Sequence, residues 1–298
     1  MSATPADATE MLGAYRAAAV AREALGVPPL PLSAGETQAL SALLEQPPAG
    51  EETFLLQLLS ERVPPGVDEA AYVKADWLAA VAAGSRTSPL VSPVDAVKLL
   101  ATMIGGYNVG ALIGLLSSAD SAIAEAAAAG LSRTLLVYDA FHDVLELAET
   151  NPRAQQVIDS WAAAEWFTSR PQLPEAITVT VFKVEGETNT DDLSPATHAT
   201  TRPDIPLHAQ AMLETRMPGG LEQIAALKEK GHPVAYVGDV VGTGSSRKSA
   251  INSVLWHTGS DIPHVPNKRS GGVILDRKST RLNSSHTVIS YAVFCLKK

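Results

Sequence analysis

The sequence has almost no cysteine and no long apolar run. Cys295 is the only cysteine among 298 residues, which excludes an internal disulfide framework and a cysteine metal site within the chain. No stretch reaches the roughly 18 consecutive apolar residues that a membrane-spanning helix requires. The N-terminus has no cationic segment followed by an apolar one, so a signal peptide is not predicted. These absences together predict a cytoplasmic protein without membrane contact.

Basic residues are also scarce. The chain has 23 Lys and Arg against 32 Asp and Glu, and five of the basic residues stand in the last 22 positions, which hold no acid. Residues 1–276 therefore carry a net charge of −14 and lack the clustered cations that generic nucleic-acid binding needs. The hydrophobic content of 46% with 18% charged residues is typical of a globular chain, and the length indicates about two domains.

Residues 1–170 are rich in Ala and Leu at helical spacing. Helix starts are marked by a capping box at Ser33 and Glu36, and by N-cap residues before a proline at Ser92 and Asn151. Helices are predicted near residues 8–24, 34–46, 51–62, 68–83, 93–104, 108–117, 120–129, 133–149 and 153–168. Short turns between them predict antiparallel neighbours stacked as a helical solenoid, although no repeat of fixed period is visible.

Residues 171–276 form a second predicted domain, which begins with a hinge at 171–175. Strands are predicted at 177–184 and 234–237 and helices at 207–213 and 221–230, a pattern typical of an α/β domain. The polar loop at 185–195 lacks the spacing of a calcium-binding loop. Its acids are predicted to form Asx turns or to orient a cation such as Arg202 or Arg247.

The last segment, residues 277–298, does not continue this pattern. It is polar and basic at first, and we interpret it as foreign to the fold, the product of expression or of sequence assembly. A natural divergent C-terminus is the alternative.

A glycine-rich stretch stands out in the second domain: Gly238-Asp-Val-Val-Gly-Thr-Gly-Ser-Ser-Arg-Lys-Ser249. It follows a buried strand and precedes a segment of helical spacing, so its glycines are predicted to lie in a strand-to-helix turn. Such a turn directs backbone N–H groups and the positive end of the helix at one point, which favours an anion. Arg247 could grip a carboxylate or phosphate with two bonds, and Ser245 and Ser246 supply hydroxyls.

Two nucleotide-binding motifs fit this stretch poorly. A P-loop needs a glycine where Arg247 stands, and the dinucleotide fingerprint G-x-G-x-x-G also fails at that position. A degenerate P-loop with Lys248 on the phosphates and a solvated glycine-rich turn remain as alternatives.

The same stretch resembles the active-site loop of the swivel domain in the aconitases, in the form found in the bacterial aconitase B branch. Three further stretches carry the resemblance: Tyr72-Val-Lys74, Gly186-Glu-Thr-Asn-Thr-Asp-Asp-Leu-Ser-Pro195 and Arg202-Pro-Asp-Ile-Pro-Leu-His208. It covers roughly residues 10 to 275. It implies a HEAT-like α-superhelix over residues 1–170 and an incomplete β/β/α swivel domain over residues 171–276.

The resemblance also implies a chemistry. Members interconvert citrate and isocitrate through cis-aconitate, and some dehydrate 2-methylisocitrate, with a [4Fe–4S] cluster whose cysteine ligands lie in later domains that this chain does not contain. Ser245 falls on the catalytic base, Ser246 and Arg247 on substrate-carboxylate contacts, and Arg202 on a second carboxylate-binding arginine. The implied partners are the remaining aconitase domains, a second copy bound through the helical domain, and RNA as a family property.

Two other functions stay open at this point. A helical solenoid is often a protein-interaction module, and the glycine-rich stretch could belong to an anion- or nucleotide-binding α/β protein with a degenerate P-loop. The fragment alone is expected to be inactive, because it lacks the cluster cysteines.

Overall fold

The computed structural model describes residues 5–172 and 174–276. The described residues fall into two compact units. One holds the chain up to Ala17 and from Pro31 into the 170s, and the other holds Ala18–Leu30 and the chain from Pro174 onward. The first unit is helical and the second contains a small parallel sheet, which agrees with the predicted combination of helical and α/β parts. The predicted foreign tail at 277–298 lies outside the described residues.

Ten helices precede the first strand in the described part of the chain: α1 Pro5–Glu23, α2 Ala34–Glu45, α3 Glu52–Glu61, α4 Glu69–Ala82, α5 Pro93–Leu100, α6 Val109–Leu115, α7 Ser121–Ser132, α8 Ala140–Ala148, α9 Pro152–Ala162 and α10 Glu165–Thr168. Contacts join α2 to α3 and α4, α4 to α5, α5 to α7, and α7 and α8 to α9. None of these helices, nor any later one up to residue 276, is long and apolar enough to span a bilayer.

The predicted helix starts are confirmed. Ser33 and Glu36 form the capping box of α2, Ser92 caps α5 and Asn151 caps α9. Two predicted helices are wrong in their extent, because a non-glycine residue adopts a positive φ within each: Tyr138 (46°) before α8 and Ala164 (51°) before α10. Left-handed backbone cannot continue an α-helix, so the chain turns there.

Among the described residues of the helical unit, Lys74 is a cation buried in the core. Lys74 on α4 is 1% exposed, and its Nζ has no hydrogen-bond partner among the described residues. Burial lowers the pKa of Lys74 to about 8, against a smaller opposite effect of the Glu61 carboxylate. The folded state therefore carries an ammonium group that water would solvate better.

The second unit is built on three parallel strands, β1 Thr180–Asn189, β2 Val234–Thr243 and β5 Val273–Asp276, in the order β1-β2-β5. Between β1 and β2 come α11 Thr190–Leu193, a 3₁₀ helix at Ala196–Thr201, α12 Ile205–Ala209 and α13 Gly220–Lys228. After β2 come α14 Arg247–Thr258 and the antiparallel hairpin of β3 Ser260–Ile262 and β4 Val265–Ser270. Buried side chains of both long strands, of α13 and of α14 form one core, which includes Phe182, Ile224, Tyr236 and Val254.

Both long strands run beyond their predicted C-terminal ends, and β1 begins at Thr180, three residues later than predicted. Residues 185–189, predicted as loop, continue β1, and Gly238 and Gly242, predicted in the turn, lie within β2. The two extensions pair with each other. In this pairing, which includes a register irregularity, Glu187, Thr188 and Asn189 lie opposite Val240, Val241 and Thr243. Backbone pairing therefore outweighs the polar character of these segments.

Replacing the buried cation should stabilise the helical unit. We expect Lys74→Met to raise the free energy of unfolding at pH 7 by about 3 kcal/mol, since a pKa lowered from 10.5 to about 8 corresponds to roughly that penalty on the charged form. The folded pKa lies below the unfolded one, so wild-type stability rises with pH between these values and the gain of the variant shrinks there. Urea unfolding at pH 7 and pH 9.5 measures both effects.

The matched control for this variant is Lys98→Met on α5, where the side chain is 66% exposed. It should change stability by no more than about 0.5 kcal/mol. A Lys74→Met variant no more stable than the wild type would contradict the analysis.

Candidate anion-binding site

The carboxyl ends of β1 and β2 lie side by side, because the two strands are parallel. Asn189, the last residue of β1, pairs with Thr243, the last residue of β2. The Thr243 hydroxyl donates a hydrogen bond to Glu187 Oε1, which ties the two strand ends together. The turns that leave both strands therefore begin at the same edge of the sheet.

The turn after β2 packs closely on the turn after β1. Gly244 has a φ of +114°, and a Cβ built on it would lie 2.2 Å from Thr190 Oγ1 at the start of α11. Only glycine fits both the conformation and the contact. Gly242 also has a positive φ, +79°, but open space surrounds its Cβ position. The predicted need for glycine is thus confirmed at both positions: a positive φ at Gly242, and a positive φ together with a close contact at Gly244.

The predicted anion-binding residues stand at the N-terminus of α14. Ser245 is exposed, and Ser246 is the N-cap residue without a side-chain cap bond. Arg247 is exposed, and its Nε donates to Gly244 O at 2.9 Å, which turns the guanidinium back over the turn. The positive end of the helix, two hydroxyls and a fixed guanidinium therefore meet at one place.

Arg202, the fourth predicted residue, follows the 3₁₀ helix in the same unit. Its Nη2 lies 3.5 Å from Ser194 O, and its Nε is buried with no hydrogen-bond partner among the described residues. Two residues later Asp204 accepts two bonds from Arg22, from Nη2 at 3.0 Å and from Nη1. This bidentate ion pair is largely buried and fixes the backbone that carries Arg202.

One acid of the Glu185–Pro195 segment, Asp192, has the predicted Asx role. Asn189 and Asp192 form a capping box around α11. The bond that Arg202 makes in this region goes to the main-chain oxygen of Ser194.

A buried hydroxyl–imidazole network lies beneath the turn. Ser194 Oγ is 2.7 Å from His208 Nε2 and 2.8 Å from Ser249 Oγ. Ser249 Oγ is in turn 3.0 Å from Ser246 O, the carbonyl of the N-cap residue. On the other side of the ring, His208 Nδ1 lies 2.9 Å from Thr201 Oγ1 and 3.1 Å from His198 O.

The surroundings of the His208 ring shift its pKa downward. Burial lowers its pKa below the ordinary value, and the charges of Arg202 and His198 lower the pKa further, whereas the bond to His198 O acts in the opposite direction. Ser194 Oγ donates to Ser249 Oγ, and Ser249 Oγ donates to Ser246 O.

Sequence reasoning missed the members of this network. Ser194 and His208 were noticed only as parts of stretches that carry a resemblance, and Ser249 only as the start of a helical pattern. A serine before a proline and a histidine in an otherwise apolar short helix are weak signals, because neither has a spacing rule that predicts a partner.

Comparison with known proteins identifies the family of this chain. Residues 14–167 match the family described as Aconitate B N-terminal domain, and residues 179–281 match Aconitate hydratase 2 N-terminus. The chain belongs to the aconitate hydratase B family.

Individual relatives agree over most of this chain. Aconitate hydratase B of Synechocystis is 68% identical over 268 residues, and that of Salmonella typhimurium is 61% identical over 279 residues, each covering 90% of this chain. The relative from Helicobacter pylori is 51% identical over 266 residues. This chain spans only 31–32% of the length of these relatives, so it corresponds to about a third of an aconitate hydratase B.

The part of the chain that the structure describes contains no cluster of three His, Cys, Asp or Glu side chains suited to a metal ion.

The two loop glycines give a direct test of the geometry. Gly242→Ala should cost about 1–2 kcal/mol of stability, because only the left-handed backbone penalises it. Gly244→Ala should cost more, since its Cβ must also displace Thr190. Adding Thr190→Ala to Gly244→Ala should recover part of that difference.

Urea unfolding of the three variants against the wild type makes the measurement. Equal costs at positions 242 and 244 would show that the turn does not pack tightly on α11.

Proposed function

We propose that this chain is the N-terminal part of an aconitate hydratase, which interconverts citrate and isocitrate through cis-aconitate in the tricarboxylic acid cycle. In this proposal the helical part, residues 1–170, is a HEAT-like superhelix, and residues 171–276 are a truncated swivel domain that forms one wall of the active site in a cytoplasmic enzyme. The remaining walls belong to the domains of the parent that follow. The same site is proposed to take 2-methylisocitrate, which would place the parent also in the methylcitrate cycle.

One observation carries the assignment of a carboxylate substrate: the buried Nε of Arg202 has no acceptor among the described residues. A buried N–H without a partner costs about 1–3 kcal/mol, and more on a charged group. A guanidinium cannot avoid this penalty by giving up its proton. A substrate carboxylate would supply the missing acceptor and the opposite charge together.

The other residues have roles that their positions support. Arg247, held by Gly244 O, is suited to grip a second carboxylate in a fixed orientation, and Ser246 adds a hydroxyl contact. Ser245 is proposed to remove the proton from the substrate carbon. A serine hydroxyl is a weak base, but the helix N-terminus and the adjacent cations favour its alkoxide form.

The family's [4Fe–4S] cluster does not fit the residues of this chain. Such clusters are held by several Cys thiolates, and this chain has a single cysteine, Cys295. The cluster of the full-length parent is therefore proposed to be held entirely by the later domains. The proposed role of residues 1–276 is to bind and orient the tricarboxylate and to move its proton.

A protein-interaction role for the helical part has an observation of its own. A groove on this part is lined by apolar and aromatic side chains, with Leu135, Phe141 and Trp166 among them, and the neighbouring Leu136 and Tyr138 are exposed. Apolar patches of this kind mark contact surfaces. We include dimerisation of the parent through the helical part as a proposal on this basis, whereas RNA binding rests only on the resemblance.

The assignment of the loop is tested with two conservative exchanges in the full-length parent. Arg247→Lys should lower kcat/KM for cis-aconitate by about 10- to 150-fold, because an ammonium group cannot make the two parallel bonds of a guanidinium. Lys248→Arg, at the next position, is the matched control and should be nearly silent. If Lys248→Arg is the impaired variant, the degenerate P-loop interpretation is favoured and the aconitase assignment fails.

The fragment should have no turnover of its own. We expect purified residues 1–298 to show no iron–sulfur absorbance and no interconversion of citrate and isocitrate, since the thiolates of a cluster are missing. Iron analysis and the visible spectrum of the isolated chain are the measurements. Stoichiometric iron in this chain would contradict the proposal.

A further inference from the structure

We propose that Ser194 is a positioning residue of the anion site, which links the Ser245–Arg247 turn to Arg202 through its hydroxyl and its carbonyl. This inference rests on the proposed function and adds residues that no sequence motif indicated. The hydroxyl is 2.8 Å from Ser249 Oγ, and Ser249 Oγ is 3.0 Å from Ser246 O. The carbonyl lies 3.5 Å from Arg202 Nη2.

Because Ser194 is buried, its hydroxyl must find hydrogen-bond partners within the protein. The residue is fully buried, and His208 beside it is 2% exposed. A buried hydroxyl that loses its partners costs free energy, so the three groups hold one another in place. Ser194 donates to Ser249, and Ser249 donates to Ser246 O, so this chain of bonds ends on the N-cap carbonyl.

The consequence for the site concerns one carbonyl. Ser246 O accepts the first backbone bond of α14, from Ala250 N at 3.1 Å, and also lies within reach of the Ser249 hydroxyl. The orientation of this carbonyl fixes the peptide plane that follows Ser246, and with it the start of α14. Ser245 and Arg247 flank Ser246 in the chain. The network therefore helps to determine the orientation of both side chains, the proposed base and the proposed carboxylate-binding guanidinium.

The contacts at both ends of α11 support the same conclusion. Thr190 at the start of this short helix meets Gly244, and Ser194 directly after its end meets Ser249. The single turn of α11 therefore contacts the segment after β2 at two positions, Gly244 and Ser249. Loss of the Ser194 hydroxyl releases only the second position.

The test uses single exchanges in the full-length parent. Ser194→Ala should lower kcat for cis-aconitate by about tenfold, the value of one hydrogen bond, and leave KM within about twofold. The carbonyl contact to Arg202 survives this exchange, which is why binding should be kept. A general loss of folding would instead reduce the active fraction and the unfolding midpoint, so the active-site concentration and thermal unfolding are measured in parallel.

Ser249→Ala removes the same link from a half-buried position and carries the test if Ser194→Ala fails to fold. Each single variant should show a similar loss, and the double variant should be no worse than either, because both break one chain of bonds. The matched control is Ser253→Ala: this serine is also buried on α14, but its hydroxyl bonds back to Ser249 O within the helix. It should keep kcat.

The outcomes separate this inference from the proposed function. A parent without activity on cis-aconitate would overturn the proposed function itself. An active parent in which Ser194→Ala and Ser249→Ala keep kcat, or in which their losses multiply in the double variant, would overturn the positioning role alone.

Discussion

The parallel pairing of β1 with β2 is the constraint on which the site depends. Parallel strands end at a common edge, so two turns that are more than 50 residues apart in sequence leave the sheet side by side. One turn carries α11 and the other begins α14, and the missing Cβ of Gly244 lets them touch. Ligands of open α/β sheets bind at this edge, outside the carboxyl ends of the strands. The position of the candidate anion site thus follows from strand direction before any side chain is considered.

Local signals in the sequence were sufficient for much of this fold. The capping residues Ser33, Ser92 and Asn151 were predicted because each bonds within its own first turn. Strand lengths were underestimated because pairing partners are distant, and residues 185–189 are polar enough to resemble a loop. The reversals at Tyr138 and Ala164 were missed because neither residue type prefers a left-handed backbone.

The residues of the candidate site also fall into two groups, those that local sequence predicts and those that it does not. Ser245, Ser246 and Arg247 were predicted from contiguous sequence, since a helix N-terminus after a glycine turn is a local feature. Arg202 came only from the resemblance to the aconitases. Ser194 and His208 could not be predicted, because their role depends on three separate segments meeting in a buried space. Contacts that the fold creates between distant segments have no signature in any one of them.

Two buried nitrogen atoms, Lys74 Nζ and Arg202 Nε, lack acceptors among the described residues, and chemistry distinguishes them. An amine can respond to burial by releasing its proton more easily, and the pKa of Lys74 has moved in that direction. A guanidinium has no such response, because it keeps its charge at any pH a cell meets. In the proposed function, a substrate carboxylate would supply the acceptor that Arg202 Nε lacks. The burial of Arg202 Nε thus supports the proposed carboxylate substrate, whereas the burial of Lys74 Nζ is a cost that the helical core tolerates.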